Sequence, residues 1–463
     1  MMSTYRPFTT TARGLSLLIA ALAMLFASTA ALAQTMASSV SQHGITWYFD
    51  QEYEVGQYAN GDWWVLGPVN ITRIDPESVD FNGRIINGTQ VNPIADGGSR
   101  REIGYDSNGQ MDYVEELNRA PSRTGQPLEL HTGSVVSTRS RVSPTPSGNE
   151  PRLEDTAILT VVSEEPPGGA FRPHPYGTDK TSHWVESQLD YSILRSLPLV
   201  DNATNIASRS TQMLRFWNEQ AAGTWTQRMI QAWNNQPSYG SSIAERIGQN
   251  ALLLHLDHPK EEKRDLFVGL VQYGLDNYGR IQAGGRWWAD GGHNHGRKLP
   301  VVLASLALND SDILNAVDGT EHNNRFQEDC TTWYVSEADI GREHRGDPYT
   351  IDMVGWPEWG IRHCSSPERD NASWDNAVYR YVGAQYVPNA LAMMFIPDGS
   401  GVEAWNWQAF FDYADRFRAK GNPGSGAWGM STFTINMWDA YREIANSAGQ
   451  SEPQPRAPAV FVD

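Results

Sequence analysis

The chain has 463 residues, with 36 Lys and Arg against 54 Asp and Glu, a formal charge of −18. That excess of acid excludes general binding to nucleic acid or anionic membranes, which needs clustered cations, but not an anionic ligand held in a local basic cleft. The length suggests two to three domains, and 17 Trp, 18 Tyr and 14 Phe supply both core and faces on which sugar rings can stack.

In chain order, residues 1–33 read as a cleavable signal peptide. Arg6 and Arg13 form a positive start, Leu15 to Ala27 is uncharged and apolar, and Ala31-Leu32-Ala33 has the small-x-small pattern before Gln34. The apolar run is too short for a ~30 Å hydrocarbon layer, so a secreted or periplasmic protein without a membrane partner is expected. Removing Arg6 and Arg13 takes the formal charge from −18 to −20.

Residues 34–178 read as β-rich. Ile45 to Phe49, Trp63 to Leu66 and Ala157 to Val162 are β-branched and aromatic runs separated by Gly, Asn, Asp and Pro. Thr138 to Arg152, rich in Ser, Pro and Arg, reads as a loop. Residues 179–448 change to a helical period. Ser242 to Leu256, Glu261 to Tyr278, Arg297 to Leu308, Trp374 to Phe395 and Ala404 to Ala419 carry apolar residues at i, i+3, i+4 and i+7. Several are apolar on more than one side and so need covering by neighbours. The expected fold is therefore mainly α, an (α/α) toroid, complete or partial, of helical hairpins behind a β-rich N-terminal region. Residues 449–463 are expected to be a flexible tail.

Two segments interrupt the helical half. The first is GGRWWADGGHNHGRK, Gly284 to Lys298, where five glycines permit tight turns and close approach of a ligand. Trp288, His293, Asn294, His295 and Arg297 gather there. A bare His-x-His is weak evidence for a metal, so no metal or cofactor is expected, and a purely structural turn is the plainer alternative to an anion site. The second runs from Gly341 through Arg342, Arg345, Asp347 and Tyr349 to Trp356, Glu358, Trp359 and His363. Arginine forks match carboxylates and tryptophans offer stacking faces, although the charges also suit a solvated ion-pair cluster. Cys330 and Cys364, the only cysteines, bracket this segment and can form a disulfide in an oxidising compartment.

Glycosidases need two carboxylates flanking the bond, and Asp290, Asp352 and Glu358 form no obvious pair. A His, Asn, Arg and Tyr set fits uronate β-elimination better. That reaction neutralises the C6 carboxylate, removes the C5 proton and protonates the departing O4. A tyrosine serves as base only if cations such as Arg342 or Arg345 favour its phenolate. The expected partner is an anionic polysaccharide. The rivals are a toroidal glycoside hydrolase using Asp290 with Glu358 or Asp352, and a non-catalytic polysaccharide-binding protein.

The two motifs, GGRWWADGGHNHGRK and RGDPY…GWPEWG, together with HGITWYFDQEYEVGQYANGDWWVLGPV from His43 to Val69, resemble polysaccharide lyase family 38. The resemblance, spread over His43 to Gly360, implies an exported (α/α)-toroid lyase of β-1,4-linked glucuronan or alginate. It implies Tyr349 as both base and acid, with His295 and Arg342 or Arg345 around the carboxylate. Asn294 or His293 is an alternative neutralising residue. Trp288, Arg297, Arg342, Trp356, Glu358 and Trp359 are candidate substrate contacts. One tyrosine serving both atoms implies syn elimination, hence glucuronate or mannuronate rather than guluronate.

Overall fold

The computed structural model describes residues 1, 35–94, 102–108, 110–143, 148–220, 229–289, 291–322, 324–341, 348–360, 380–421 and 429–445. The signal-peptide reading, the C-terminal tail, Arg342, Arg345, Asp290 and Cys364 lie outside them.

Strands dominate the first third of the described chain. β1 (Thr35–Gln42), β2 (Ile45–Gln57), β3 (Trp63–Leu66) and β4 (Val69–Asp75) come first. A short hairpin, β5 (Val79–Phe81) and β6 (Arg84–Ile86), precedes β7 (Thr89–Val91). A two-residue parallel pair, β8 (Glu102–Ile103) and β9 (Asp112–Tyr113), is followed by α1 (Pro121–Thr124). β10 (Leu128–Leu130), β11 (Gly133–Arg141) and β12 (Arg152–Val162) complete the region.

Eight of these strands form one sheet in the order β10-β4-β2-β3-β12-β11-β7, with β1 paired to β2. The sheet is mixed, because β12 runs parallel to β3, with Leu159 opposite Trp63, while its other neighbour β11 is antiparallel. Alternation explains its core. Ile45, Trp47 and Phe49 on β2, and Ala157, Leu159 and Val161 on β12, point to one apolar side with Ile71 and Val135. Val136 and Ile158, one residue out of phase, point to the other side and pack with Tyr105, Phe216 and Ile230.

The helices follow. They are α2 (Ile206–Met213), α3 (Gly240–Leu254), α4 (Lys260–Gln282), α5 (Lys298–Leu308), α6 (Ser311–Ala316) and α7 (Gln327–Cys330). A two-stranded ribbon, β13 (Thr332–Tyr334) with β14 (Pro357–Trp359), is inserted before α8 (Tyr386–Phe395), α9 (Ser400–Trp405), α10 (Gln408–Ala419) and α11 (Thr432–Ala445). α5 and α8 are apolar nearly all round and correspondingly buried, and they share one core with α3, α4 and α10. Among the described residues no helix is long and apolar enough to cross a membrane.

The expected mainly α toroid is overturned. The chain is 38% helical and 23% strand, with a large curled mixed sheet. The helical period holds where apolar residues recur, but among the described residues the helices share the chain with this sheet rather than making a mainly α ring. The helix expected over Trp374 to Phe395 is α-helical in its described part only from Tyr386. The one expected over Ala404 to Ala419 breaks at Asn406, whose φ of 50° is left-handed. A buried ion triad ties sheet to helices: Arg172 donates to Asp62 on the β3 side and to Asp276 on α4, both at 2.6 Å.

Candidate functional site

The glycine-rich segment owes its composition to packing. Gly296 has φ +88°, and a Cβ there would lie 2.5 Å from the Ala244 Cα on α3. A Cβ on Gly292 would lie 2.4 Å from the Tyr239 hydroxyl oxygen. The glycines therefore let residues 291–296 lie flat on the start of α3, where Ser241 N–H donates to the Gly292 carbonyl at 2.8 Å. The expectation that they make room for a ligand is replaced by this one at these two positions.

α7 clasps the same segment from the other side. The Gln327 carboxamide oxygen accepts from Asn294 N–H at 3.0 Å, and Glu328 Oε1 accepts from Gly296 N–H at 2.6 Å and Arg297 N–H at 3.2 Å. Asn294 is fully buried, and its Nδ2 donates to the Trp288 carbonyl at 2.8 Å. Asn294 thus shapes the loop. His293 is half-buried, edge-on to Tyr239 with ring centroids 4.8 Å apart. Trp288 is half-buried beneath the Arg286 guanidinium, 4.9 Å from its ring.

Held this way, His295 and Arg297 point inward. Arg297 Nε donates to Glu219 Oε2 at 3.2 Å and its Nη1 to the His295 carbonyl at 2.6 Å, while Nη2 has no hydrogen-bond partner. Burial, the largest influence, disfavours the Arg297 charge, but Glu219 together with Tyr273 and Glu328 more than offsets it. Glu219 is the hub of this wall, accepting also from Tyr273 Oη at 2.9 Å, Gln236 Nε2 at 3.1 Å and Trp287 Nε1 at 3.2 Å.

His295 is fully buried, and neither ring nitrogen has a hydrogen-bond partner of good geometry. Burial, with the nearby Arg297 charge, pushes its pKa down to about 3, so the imidazole is neutral. Its ring lies 4.8 Å from Tyr386 and 6.5 Å, edge-on, from Trp359. The Tyr386 hydroxyl pairs with Thr331 Oγ1 at 2.8 Å and accepts from Trp359 Nε1 at 3.3 Å. Burial, then the charge of Glu328, holds the phenol well above its ordinary pKa. Glu328 Oε2 and both amide atoms of Gln385 are further buried atoms without partners, Glu328 itself being pushed up by burial. Native interiors pair nearly all such groups, so this concentration sets the region apart as the candidate site.

Tyr349 is not part of this group. In the β13–β14 register Thr332 opposes Trp359 and Trp333 opposes Glu358, so Trp359 and Trp333 face opposite sides. Tyr349 packs with Trp333, Val335 and Met353, whereas His295 meets Trp359. The ribbon separates them. Glu358 is buried and ion-paired with Arg416 at 3.4 Å. Trp356 is 38% exposed with the Arg416 guanidinium 4.7 Å from its ring. Asp352 is exposed and accepts from Thr350 at 2.5 Å, so Glu358 and Asp352 do not flank a common space. Cys330 is disulfide-bonded, and Cys364 is the chain's only other cysteine. Among the described residues no group of three His, Cys, Asp or Glu is arranged to hold a metal ion.

Sequence reasoning missed Glu219, Glu328, Tyr273 and Tyr386. A usable signal existed for Tyr386, with Gln385 before it and Asn389 after it, since polar atoms inside the otherwise apolar YVPNALAMMF stretch demand partners. Glu219 carried no such mark. Comparison with protein families, curated proteins and solved structures gave no match to this chain.

Proposed function

We propose that the protein is a polysaccharide lyase that cleaves a 1,4-linked polyuronate, glucuronan or mannuronate-rich alginate, by β-elimination at the His295–Tyr386 pair. The observation that carries this reading is the neutral, fully buried His295 imidazole, whose polar contact with the Gly291 backbone is poorly aligned, 4.8 Å from a protonated tyrosine ring and beside an arginine with an unengaged Nη2. The motif resemblance to polyuronate lyases points the same way.

In the proposed reaction Arg297 Nη2 pairs with the C6 carboxylate, which withdraws charge from C5 and loosens its proton. The carboxylate also adds a negative charge beside His295, which raises the imidazole's basicity from its depressed value. His295 takes the C5 proton, the C5–H pair becomes the C4=C5 double bond, and the C4–O4 bond breaks. Tyr386, protonated because burial and Glu328 oppose its phenolate, delivers its proton to O4. The imidazolium then returns a proton to the phenolate, and both groups end as they began. This division of labour replaces a single Tyr349 acting on both atoms.

The test is near-UV absorbance of the conjugated product on glucuronan, polymannuronate, polyguluronate and pectate, with Tyr386→Phe and Tyr349→Phe compared. Turnover lost in Tyr386→Phe and kept in Tyr349→Phe is expected. The reverse pattern would return the chemistry to Tyr349, and reducing ends without absorbance would make the protein a hydrolase. Neither signal on any polymer would leave a binding protein.

A further inference from the structure

Trp233 is the most exposed tryptophan among the described residues, at 63%. A lone exposed aromatic needs no explanation, but this one is held out by its backbone. Trp233 N–H donates to the Leu153 carbonyl at 3.0 Å and Asn234 N–H to the Glu154 carbonyl at 3.1 Å, so residues 233–234 lie along β12. The Asn234 carboxamide donates to both Asp155 carboxylate oxygens at 3.0 Å, and the flanking Ala232 and Asn235 are buried. The indole is therefore a fixed, outward face beside the large sheet rather than a loose side chain.

Two arginines stand beside it. In the β11–β12 register Arg141 lies directly opposite Arg152, and opposed residues point to the same side of a sheet, where like charges repel. The neighbouring arginines have partners: Arg139 pairs with Asp155 and with Glu154 at 3.3 Å, and Arg215 pairs with Asp155 at 2.6 Å. Among the described residues Arg141 and Arg152 form no ion pair. Arg152 Nε donates only to the Asn149 carbonyl, at 3.3 Å. Glu150 lies within electrostatic reach of both arginines, while its Oε2 accepts from Ser143 N–H at 3.0 Å and Oγ at 2.8 Å. The Arg141 guanidinium is 5.8 Å from the Trp233 ring centroid. A sugar resting its C–H face on this indole puts a ring carboxylate within reach of arginines that no carboxylate pairs. The other exposed tryptophan among the described residues, Trp356, offers no such charge, because its Arg416 is paired with Glu358.

One chain segment joins this surface to the His295 site. Three residues beyond Trp233, Gln236 Nε2 donates to Glu219 Oε1, and Glu219 holds Arg297. Three residues span at most about 11 Å of chain. We propose that Trp233, Arg141 and Arg152 form a surface holding site for an acidic polysaccharide, in which the indole stacks on a uronate ring and the arginine pair takes its carboxylate. The proposal rests on the polyuronate reading. The site keeps a polymer beside the reacting pair without touching the bond that breaks, and it gives the β-rich region a part in binding.

The experiment measures retardation of the full mature protein in native gels containing polyglucuronate, polymannuronate, a neutral β-1,4-glucan or single-stranded DNA. In parallel it measures kcat/KM on uronate polymer and trisaccharide, for wild type, Trp233→Ala and Arg141→Ala/Arg152→Ala. Thermal unfolding checks that each variant folds. Affinity for the acidic polymers, and kcat/KM on them, are expected to fall about tenfold in each variant, the scale of one well-placed aromatic or charged contact. Trisaccharide turnover is expected to stay unchanged. Wild-type affinity in either variant overturns the holding site while leaving the lyase reading intact. An equal loss on polymer and trisaccharide also overturns it, since that reports a general defect. So does equal retention by the neutral glucan or by DNA, or a wild type that no acidic polymer retains. Retention that the variants weaken, with no elimination by wild type, would keep the holding site and fail the lyase reading.

Discussion

Neutralising Glu219 removes the ion-pair partner of a fully buried guanidinium. The Glu219 and Arg297 side chains are 2% and 0% exposed, with Nε to Oε2 at 3.2 Å. Glu219→Gln keeps the shape but withdraws the charge, and its amide nitrogen must face donors on one side or the other, Tyr273 and Gln236 or Trp287 and Arg297. Breaking a buried pair from one end costs about 3–5 kcal/mol, because the remaining ion is left uncompensated. Arg297→Met should cost a similar amount, as it strands the Glu219 carboxylate. The double variant strands neither, so its loss should fall short of the sum by about 1–3 kcal/mol. Urea unfolding of the four proteins, with midpoints and slopes compared, measures that coupling. Additivity within about 0.5 kcal/mol, or a Glu219→Gln loss below about 1 kcal/mol, would refute the claim that Glu219 sustains the Arg297 charge.

His295→Gln removes the basic nitrogen and should lower kcat about 10²–10⁴-fold with the helical circular dichroism retained; turnover within tenfold of wild type would take His295 out of the proton path. Asp106 is fully buried with Oδ1 unpaired, and burial pushes its carboxyl up to about 8 from an ordinary value near 3.8. Its folded form therefore holds a proton that the unfolded chain releases, so the site loses stability as pH rises from about 4 to 8, by about 1.4 kcal/mol per pH unit at most. Asp106→Asn should be neutral near pH 4 and stabilising at pH 8, and denaturation curves at the two pH values that differ from wild type equally would refute this.

Much of the local structure is written in the residues. Apolar spacing marks α3, α4 and α5 to within a few positions, because a buried helix face recurs every third or fourth residue in any fold. Alternation likewise marks β2, β3 and the end of β12. His295, Asn294 and Arg297 stand out as polar groups beside an apolar helix, and the structure buries all three, His295 against Trp359. What period cannot say is against what a face is buried. The parallel pairing of β12 with β3, which makes the sheet mixed, joins residues 96 positions apart, as Leu159 with Trp63, and no local pattern encodes that register. The same limit hides which tyrosine lies against His295. Tyr349 is near Trp359 in sequence, yet the pleat of β13–β14 turns their neighbourhoods to opposite sides. Tyr386, ninety residues beyond His295, instead lies against it because α8 packs across α3. Charge partners follow the same rule: Glu219 meets Arg297 only through the packing of three chain segments, since an ion's neighbour is fixed by the fold rather than by the residues beside it in the chain.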